Sequence, residues 1–375
     1  EMCIRDRSGE EAIAASRESK VVVAYVTSWS EVMPDPQYMT HINYAFGHVN
    51  ESFNGVKIDN EERLRQIVDL RKQKLKVLLS IGGWGSGRFS EMAANDEYRR
   101  AFAADCDRVV KEFALDGIDI DWEYPTSSMA NISSSPDDTE NFTLLMQDIR
   151  AAIGNEKELT LATVASARYI DFKAILPSVD FVNIMAYDMA SAPKHHSALY
   201  PSGHSGDITS DGAVTAHLKA GVPPSKLVMG MPFYGRGGDG YPSFQDYNKV
   251  GNTDTQYTEK WDEVAQVPYL ADKNDTLVFG FENPRSLAIK CQYILDKDLL
   301  GGMYWDYSGD NEQGDLRRTV AENLLGKPHK AKVLVLTERG GQHGGFTDAG
   351  LRWLAAEGAK GNFSITEINN ARNIT

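Results

Sequence analysis

Three carboxylates alternate with large apolar residues in "LDGIDIDWEYP" (115–125): Asp119, Asp121 and Glu123 are interleaved with Ile118, Ile120 and Trp122. In an extended strand alternate side chains share a face, so the acids form one row at intervals of about 6.5 to 7 Å, and the apolar residues form another. The Ile, Ile and Trp spacers favour a strand buried on its apolar side over a water-facing acidic edge. A calcium loop would need a glycine turn and a distant Glu, which the segment lacks. Like charge and lost hydration both raise pKa, so three neighbouring carboxylates in a partly desolvated site cannot all ionise at low cost. At least one is expected to hold a proton near neutral pH. A protonated Glu at the end of such a row is a general acid.

Other strands must hold that row. Short β-branched and aromatic runs recur at 21–29, 41–49, 76–83, 117–124, 159–166, 180–188, 226–235 and 301–308, and helical patterns fall at 60–74, 95–114, 137–153, 210–220, 284–299 and 314–325. Regular alternation of this kind predicts an α/β fold, a closed (β/α)8 TIM barrel, with a doubly wound open sheet as the weaker choice because no Gly-rich phosphate turn follows the first run. Barrel enzymes place their chemistry at the C-terminal strand ends, and Glu123 lies nearest that end. Nearly fifty residues separate the seventh strand from the helix at 284, too many for an ordinary loop, which predicts an inserted subdomain at about 237–281. Residues 327–331 read as a linker, and 332–375 as strand, helix, strand: a partial βαβ start of a second domain that cannot close its own sheet, as if the chain were truncated there.

Composition narrows the partners. The 375 residues carry a formal net charge of -14, which opposes nucleic acid and anionic membrane surfaces, and no apolar run is long enough to span a bilayer. A neutral ligand fits better. Cys3, Cys106 and Cys291 are too few and too far apart for a disulfide framework or a zinc site, and Cys106 and Cys291 fall on apolar helix faces as packed thiols. His195, His196 and His204 in "KHHSALYPSGHS" lack the spacing of a metal pair and no carboxylate is placed with them in the sequence, so no metal is expected. Residues 1–19 have no apolar signal core; "EMCIRDR" is similar to translated adapter sequence, and the segment is expected to be disordered or non-native, with the natural start and any export signal missing.

"LDGIDIDWEYP" resembles the DGxDxDWEYP signature of family 18 glycoside hydrolases, the chitinase type. "THINYAFGHV", "LLSIGGWG", "IMAYDM", "MPFYGR" and "GGMYWDYSGD" resemble its other strands in order, over residues 20–326. The resemblance implies a retaining hydrolase of β-1,4-linked N-acetylglucosamine chains, needing no cofactor, in which the substrate's acetamido group is the nucleophile and an oxazolinium ion the intermediate. It makes Glu123 the acid and base, Asp121 the acetamide's partner, Asp119 a residue sharing a proton with Asp121, and Tyr187 the donor to the acetamido oxygen. It places Tyr25, Phe46, Trp84, Met185, Asp188, Tyr234, Arg236 and Trp305 along the substrate cleft, with Trp305 beneath the sugar at the cleavage point. Ser80, Gly82 and Gly83 are expected to be structural, letting the backbone approach the acidic strand. The insertion resembles a shortened α+β wall of the family's groove, and the segment from Lys332 resembles the opening of trehalose-utilisation or class I amidotransferase-like domains. Action outside the cytoplasm (secreted, periplasmic or on the cell surface) follows from a chitin substrate, and a monomer is expected. An endo-β-N-acetylglucosaminidase and a chitin-binding lectin stay open as alternatives, the second weakened by the presence of Glu123.

Overall fold

The structure, a computed structural model, describes residues 20–250, 256–326, 331–337, 344–359 and 363–369. The expected N-terminal segment and most of the expected linker lie outside them.

Strands follow one another as β1 (Val21–Thr27), β2 (His41–Val49), β3 (Val56–Ile58), β4 (Lys76–Gly82), β5 (Gly117–Asp121), β6 (Glu158–Val164), β7 (Phe181–Met185) and β8 (Leu227–Pro232); then come β9 (Tyr234–Gly237), β10 (Gln245–Asp246), β11 (Thr258–Asp262), β12 (Val267–Ala271), β13 (Leu277–Gly280) and β14 (Gly301–Trp305). In parallel ladders the order is β1-β14-β8-β7-β6-β5-β4-β2, and β1 pairs with β2 as well as with β14, which closes an eight-stranded barrel. The expected TIM barrel is thus present. β3 adds only an antiparallel arm to β2.

Local sequence explains the helices around it. Asn95 caps the helix Asp96–Glu112 by accepting from the N–H groups of Glu97 and Tyr98. Asn283 and Ser286 form a capping box ahead of Pro284–Asp296, with Pro284 in the first turn, where its missing N–H costs nothing. The helix pattern at 60–74 divides into an α-helix, Glu61–Val68, and a 3-10 turn, Asp69–Gln73; the pattern gave no sign of the short helices Phe89–Ala94 and Phe172–Ile175. Cys106 and Cys291 are buried and unbonded, as expected of packed thiols.

Two apolar regions divide the barrel. The larger packs helices against the outer faces of the strands and takes in Ile118, Ile120 and Trp122, with Trp122 stacked on Phe89 at 5.4 Å and edge-on to Phe142 at 5.6 Å. A small separate group, Val23, Tyr25, Ala45, Phe46, Phe181, Val228 and Met303, fills the barrel's hollow. The acids therefore point into a space of limited volume.

The expected α+β insertion takes a different form. Among the described residues it is an antiparallel five-stranded sheet, β10-β9-β13-β12-β11, with one 3-10 turn at Tyr247–Lys249 and no α-helix before Pro284. Stretches such as "TEKWD" and "VPYLA" carry β-branched and aromatic residues with no apolar repeat at helical spacing, and they pair as strands.

Gly326–Thr375 forms a separate compact unit. In it β15 (Ala331–Thr337) and β16 (Phe363–Asn369) pair in parallel, with the helix Gly344–Ala359 between them in the chain. No helix among the described residues is long and apolar enough to cross a membrane.

Candidate active site

Asp119 is the deepest acid of the row. The parallel register sets Ser80 of β4 and Thr160 of β6 beside it. Its Oδ2 accepts from the hydroxyls of Tyr25 and Ser80, each at 2.8 Å, and its Oδ1 from Thr160 Oγ1 at 2.7 Å. Burial pushes its carboxyl above the usual range; the three hydroxyls only partly restore the anion. Ser80, expected to be structural, holds the acid from β4 through its hydroxyl. Tyr25 was expected along the cleft, yet it is buried at 1 % exposure with its hydroxyl committed to Asp119.

Gly82 stands opposite Asp121 in the ladder, where a Cβ would lie 1.9 Å from the Asp121 carbonyl oxygen. The adjacent Gly83 N–H donates to that same oxygen at 2.8 Å. Backbone contact this close is open to glycine alone, as the sequence implied.

β5 ends at Asp121, and the alternation continues past the last ladder bond: Trp122 turns into the outer core and Glu123 back toward the hollow, 9 % exposed. Asp138 anchors the chain that follows, accepting from the N–H groups of Thr126 and Ser135 and from the Ser90 hydroxyl. The charge of Glu123 raises the cost of ionising the buried Asp121, so the two carboxylates do not readily ionise together. Burial, then the charges of Glu123 and Asp119, push Asp121 well up. Burial pushes Glu123 up to about 7 against the pull of its hydrogen bonds to Asp121 and Tyr124, and the charge of Asp188 adds to the rise. Among the described residues no N–H or hydroxyl donates to Asp121 Oδ1.

Around this pair stand the side chains from the other strand ends. Tyr187 directs its hydroxyl to Met303 Sδ at 3.7 Å, a weak acceptor, and burial followed by the charges of Asp121 and Glu123 raises its pKa. Met185 packs in the hollow beside it. Asp188 lies 3.3 Å from Arg236 Nε. Burial would raise Asp188, but its surroundings, the Tyr234 hydroxyl and Arg236 among them, hold it below the usual carboxylate range. The Trp305 ring stacks on Phe46 at 5.6 Å and tilts against Tyr25 at 5.4 Å. Trp84 is 61 % exposed, standing edge-on to Tyr124 at 6.4 Å. A cavity of about 400 Å³ opens along this side, lined by Trp29, Phe46, His48, Asp59, Trp84 and Arg88 among others.

Sequence reasoning missed several contributors. Trp29, 64 % exposed and 6.3 Å from both Phe46 and Trp305, extends the aromatic row; an exposed indole just past a strand was the available signal. Tyr124, next to Glu123, stacks on Tyr169 at 5.3 Å. The histidines do meet carboxylates, from distant segments: His195 Nε2 lies 3.0 Å from Asp262 of the insertion, and His196 Nδ1 lies 3.6 Å from Asp188 Oδ1.

Known proteins match over the same span. The family described as glycosyl hydrolases family 18 matches residues 21–310. Chitotriosidase-1 of Mus musculus is 31 % identical over 350 residues, 78 % of this chain and 74 % of that protein. Chitinase A1 of Niallia circulans is 29 % identical over 411 residues; the match takes in 80 % of this chain and 58 % of that relative's length. Among solved structures, a family 18 N-acetylglucosaminidase from Paenibacillus barengoltzii superposes with a TM-score of 0.75 at 32 % identity, covering 81 % of this chain and 99 % of that one. With the family pattern spanning most of the barrel and the acid row at its mouth, this chain belongs to family 18 of the glycosyl hydrolases.

Proposed function

We propose that the protein is a retaining chitinase that cleaves β-1,4 bonds following N-acetylglucosamine by substrate-assisted catalysis. One observation carries the reading: Asp121 and Glu123 lie buried on one face at the end of the acid strand, and no donor among the described residues serves Asp121 Oδ1. Glu123, with its pKa raised to about 7, gives its proton to the glycosidic oxygen as the bond to the anomeric carbon breaks. The carbonyl oxygen of the sugar's own acetamido group attacks that carbon, so an oxazolinium ion forms without an enzyme nucleophile, helped by the high effective concentration of a tethered group. Asp121 accepts the acetamide N–H and offsets the charge growing on nitrogen. The ionised Glu123 then takes a proton from water as the water opens the ring at the anomeric carbon, restoring the acid with net retention.

Asp119 fixes the deep end of the row. Tyr187 is within reach of the acetamido oxygen. Trp305, Phe46, Trp84 and Trp29 offer flat apolar faces to pyranose rings. Asp188, kept ionised by Arg236 and its neighbours, contacts the sugar and does not serve as the acid. Chitinase-named relatives support chitin as the polymer, and a polymer too large to enter a cell supports action outside the cytoplasm. The second unit, whose sequence resembles the opening of amidotransferase-like domains, is assigned no activity.

Incubation with chitooligosaccharides, followed by product mass, tests the reading. The wild type is expected to cleave them, and Glu123→Gln to lose about 100- to 10,000-fold in kcat with oligosaccharide affinity kept. A thiazoline analogue of the intermediate should inhibit competitively. Unchanged turnover in Glu123→Gln removes it as the acid, cleavage of glycans but not chitin moves the assignment to an endo-β-N-acetylglucosaminidase, and binding without cleavage to a lectin.

A further inference from the structure

Two residues outside the cleft, His196 and Ser197, fasten the strand end that presents Tyr187 and Asp188. The backbone N–H of Asp188 donates to His196 Nδ1 at 3.1 Å, and the N–H of Met189 to the His196 carbonyl at 2.9 Å. The Ser197 hydroxyl donates to the Ala186 carbonyl at 2.7 Å. Tyr187 is thus gripped on both sides by one strap. The grip matters because β7 ends at Met185 and Asp188 is left in the left-handed region at φ 54°, a conformation that a non-glycine residue keeps only when its surroundings impose it.

The strap is itself anchored from two directions. Lys290, fully buried on the helix Pro284–Asp296, donates to Ser197 O at 2.6 Å and Ser197 Oγ at 2.8 Å and pairs with Glu282. His195 holds Asp262 of the antiparallel sheet. The His196 ring also tilts against Tyr234, centroids 5.2 Å apart. Because Nδ1 accepts the Asp188 N–H, the ring carries its proton on Nε2, which is buried without a partner among the described residues.

We propose that His196 is a positioning residue of the hydrolytic site: as the neutral Nε2–H tautomer it fixes the backbone of Asp188, and with it the aim of Tyr187, so that the insertion and the helix at 284 bear on catalysis through one imidazole. This rests on the functional reading above for its kinetic consequence, though not for the contact itself.

The test compares His196→Leu with His196→Asn, whose side-chain oxygen occupies the place of Nδ1 and can still accept. His196→Leu is expected to lose on the order of 10- to 100-fold in kcat on a chitooligosaccharide with KM changed little, since a misdirected group near the reacting centre costs rate before binding. His196→Asn should recover most of that loss. Combined with Asp188→Asn, His196→Leu should add little further loss, because both act through one residue. Additive losses, or no difference between Asn and Leu, would overturn the proposal in favour of a packing role. Long-range proton–nitrogen NMR on the wild type supplies an arm independent of turnover and of variant folding: an unprotonated Nδ1 supports the contact, and an Nδ1–H overturns it. If the wild type fails to cleave chitooligosaccharide at all, the functional reading falls, and the NMR result still decides the contact.

Discussion

Two buried charge clusters in this barrel are built on opposite terms. Lys290 and Glu282 form a matched pair: the ammonium also binds both oxygens of Ser197, and the Ser286 hydroxyl donates to Glu282 Oε2 at 2.5 Å. Asp121 and Glu123 are two like groups, both raised by burial, with one Asp121 oxygen unserved by any donor among the described residues. The first cluster spends its desolvation on fixing backbone. The second keeps a carboxyl able to hold a proton near neutral pH, which is what an acid catalyst needs. Burial alone therefore does not separate a structural charge from a functional one; the state of its partners does.

Three experiments set the clusters against each other. Lys290→Met should cost about 3 to 5 kcal/mol in urea denaturation by stranding Glu282, and adding Glu282→Met should return most of it, because a buried pair replaced by apolar residues is often near neutral. A single-variant loss below about 1 kcal/mol would erase the distinction.

A smaller effect belongs to Glu123. Its folded pKa of about 7 lies above its ordinary 4.5, so the folded state binds the proton more tightly. The stability tied to the protonated form is complete below 4.5 and is lost as pH rises through about 7, at a slope on the order of 1 kcal/mol per pH unit. The difference between wild type and Glu123→Gln, followed by denaturation across that range, isolates the slope from other groups. Equal slopes in the two proteins would mean that the row holds no strained proton.

Smallest is the effect at the rim. Trp84→Ala should raise KM for long oligosaccharides by about 2- to 10-fold, the worth of one aromatic face, while the thermal midpoint stays put because the indole is exposed. A clear fall in midpoint would make Trp84 part of the packing.

Much of this was legible along the chain. Alternation in "GIDIDWEY" put the acids on one face and Trp122 on the other before any coordinates, since a strand's two-residue period is a local property. The eight strands were readable for the same reason. The target of the Tyr25 hydroxyl, Asp119, was not legible because it lies 94 residues away and only barrel closure joins β1 to the acid strand. His195 and His196 looked unaccompanied because Asp262 arrives from the insertion and the Asp188 contact depends on a turn of the backbone after β7.

Sequence by itself determined the order of strands, the facing of the acid row and the glycines at 82 and 83 that permit close approach, all of them consequences of spacing and residue size within a few positions. Tertiary structure alone decided which acids burial raises, which histidine accepts from the Asp188 backbone and which carboxylate pairs with Lys290, because these depend on desolvation and on distances between segments that closure of the barrel sets.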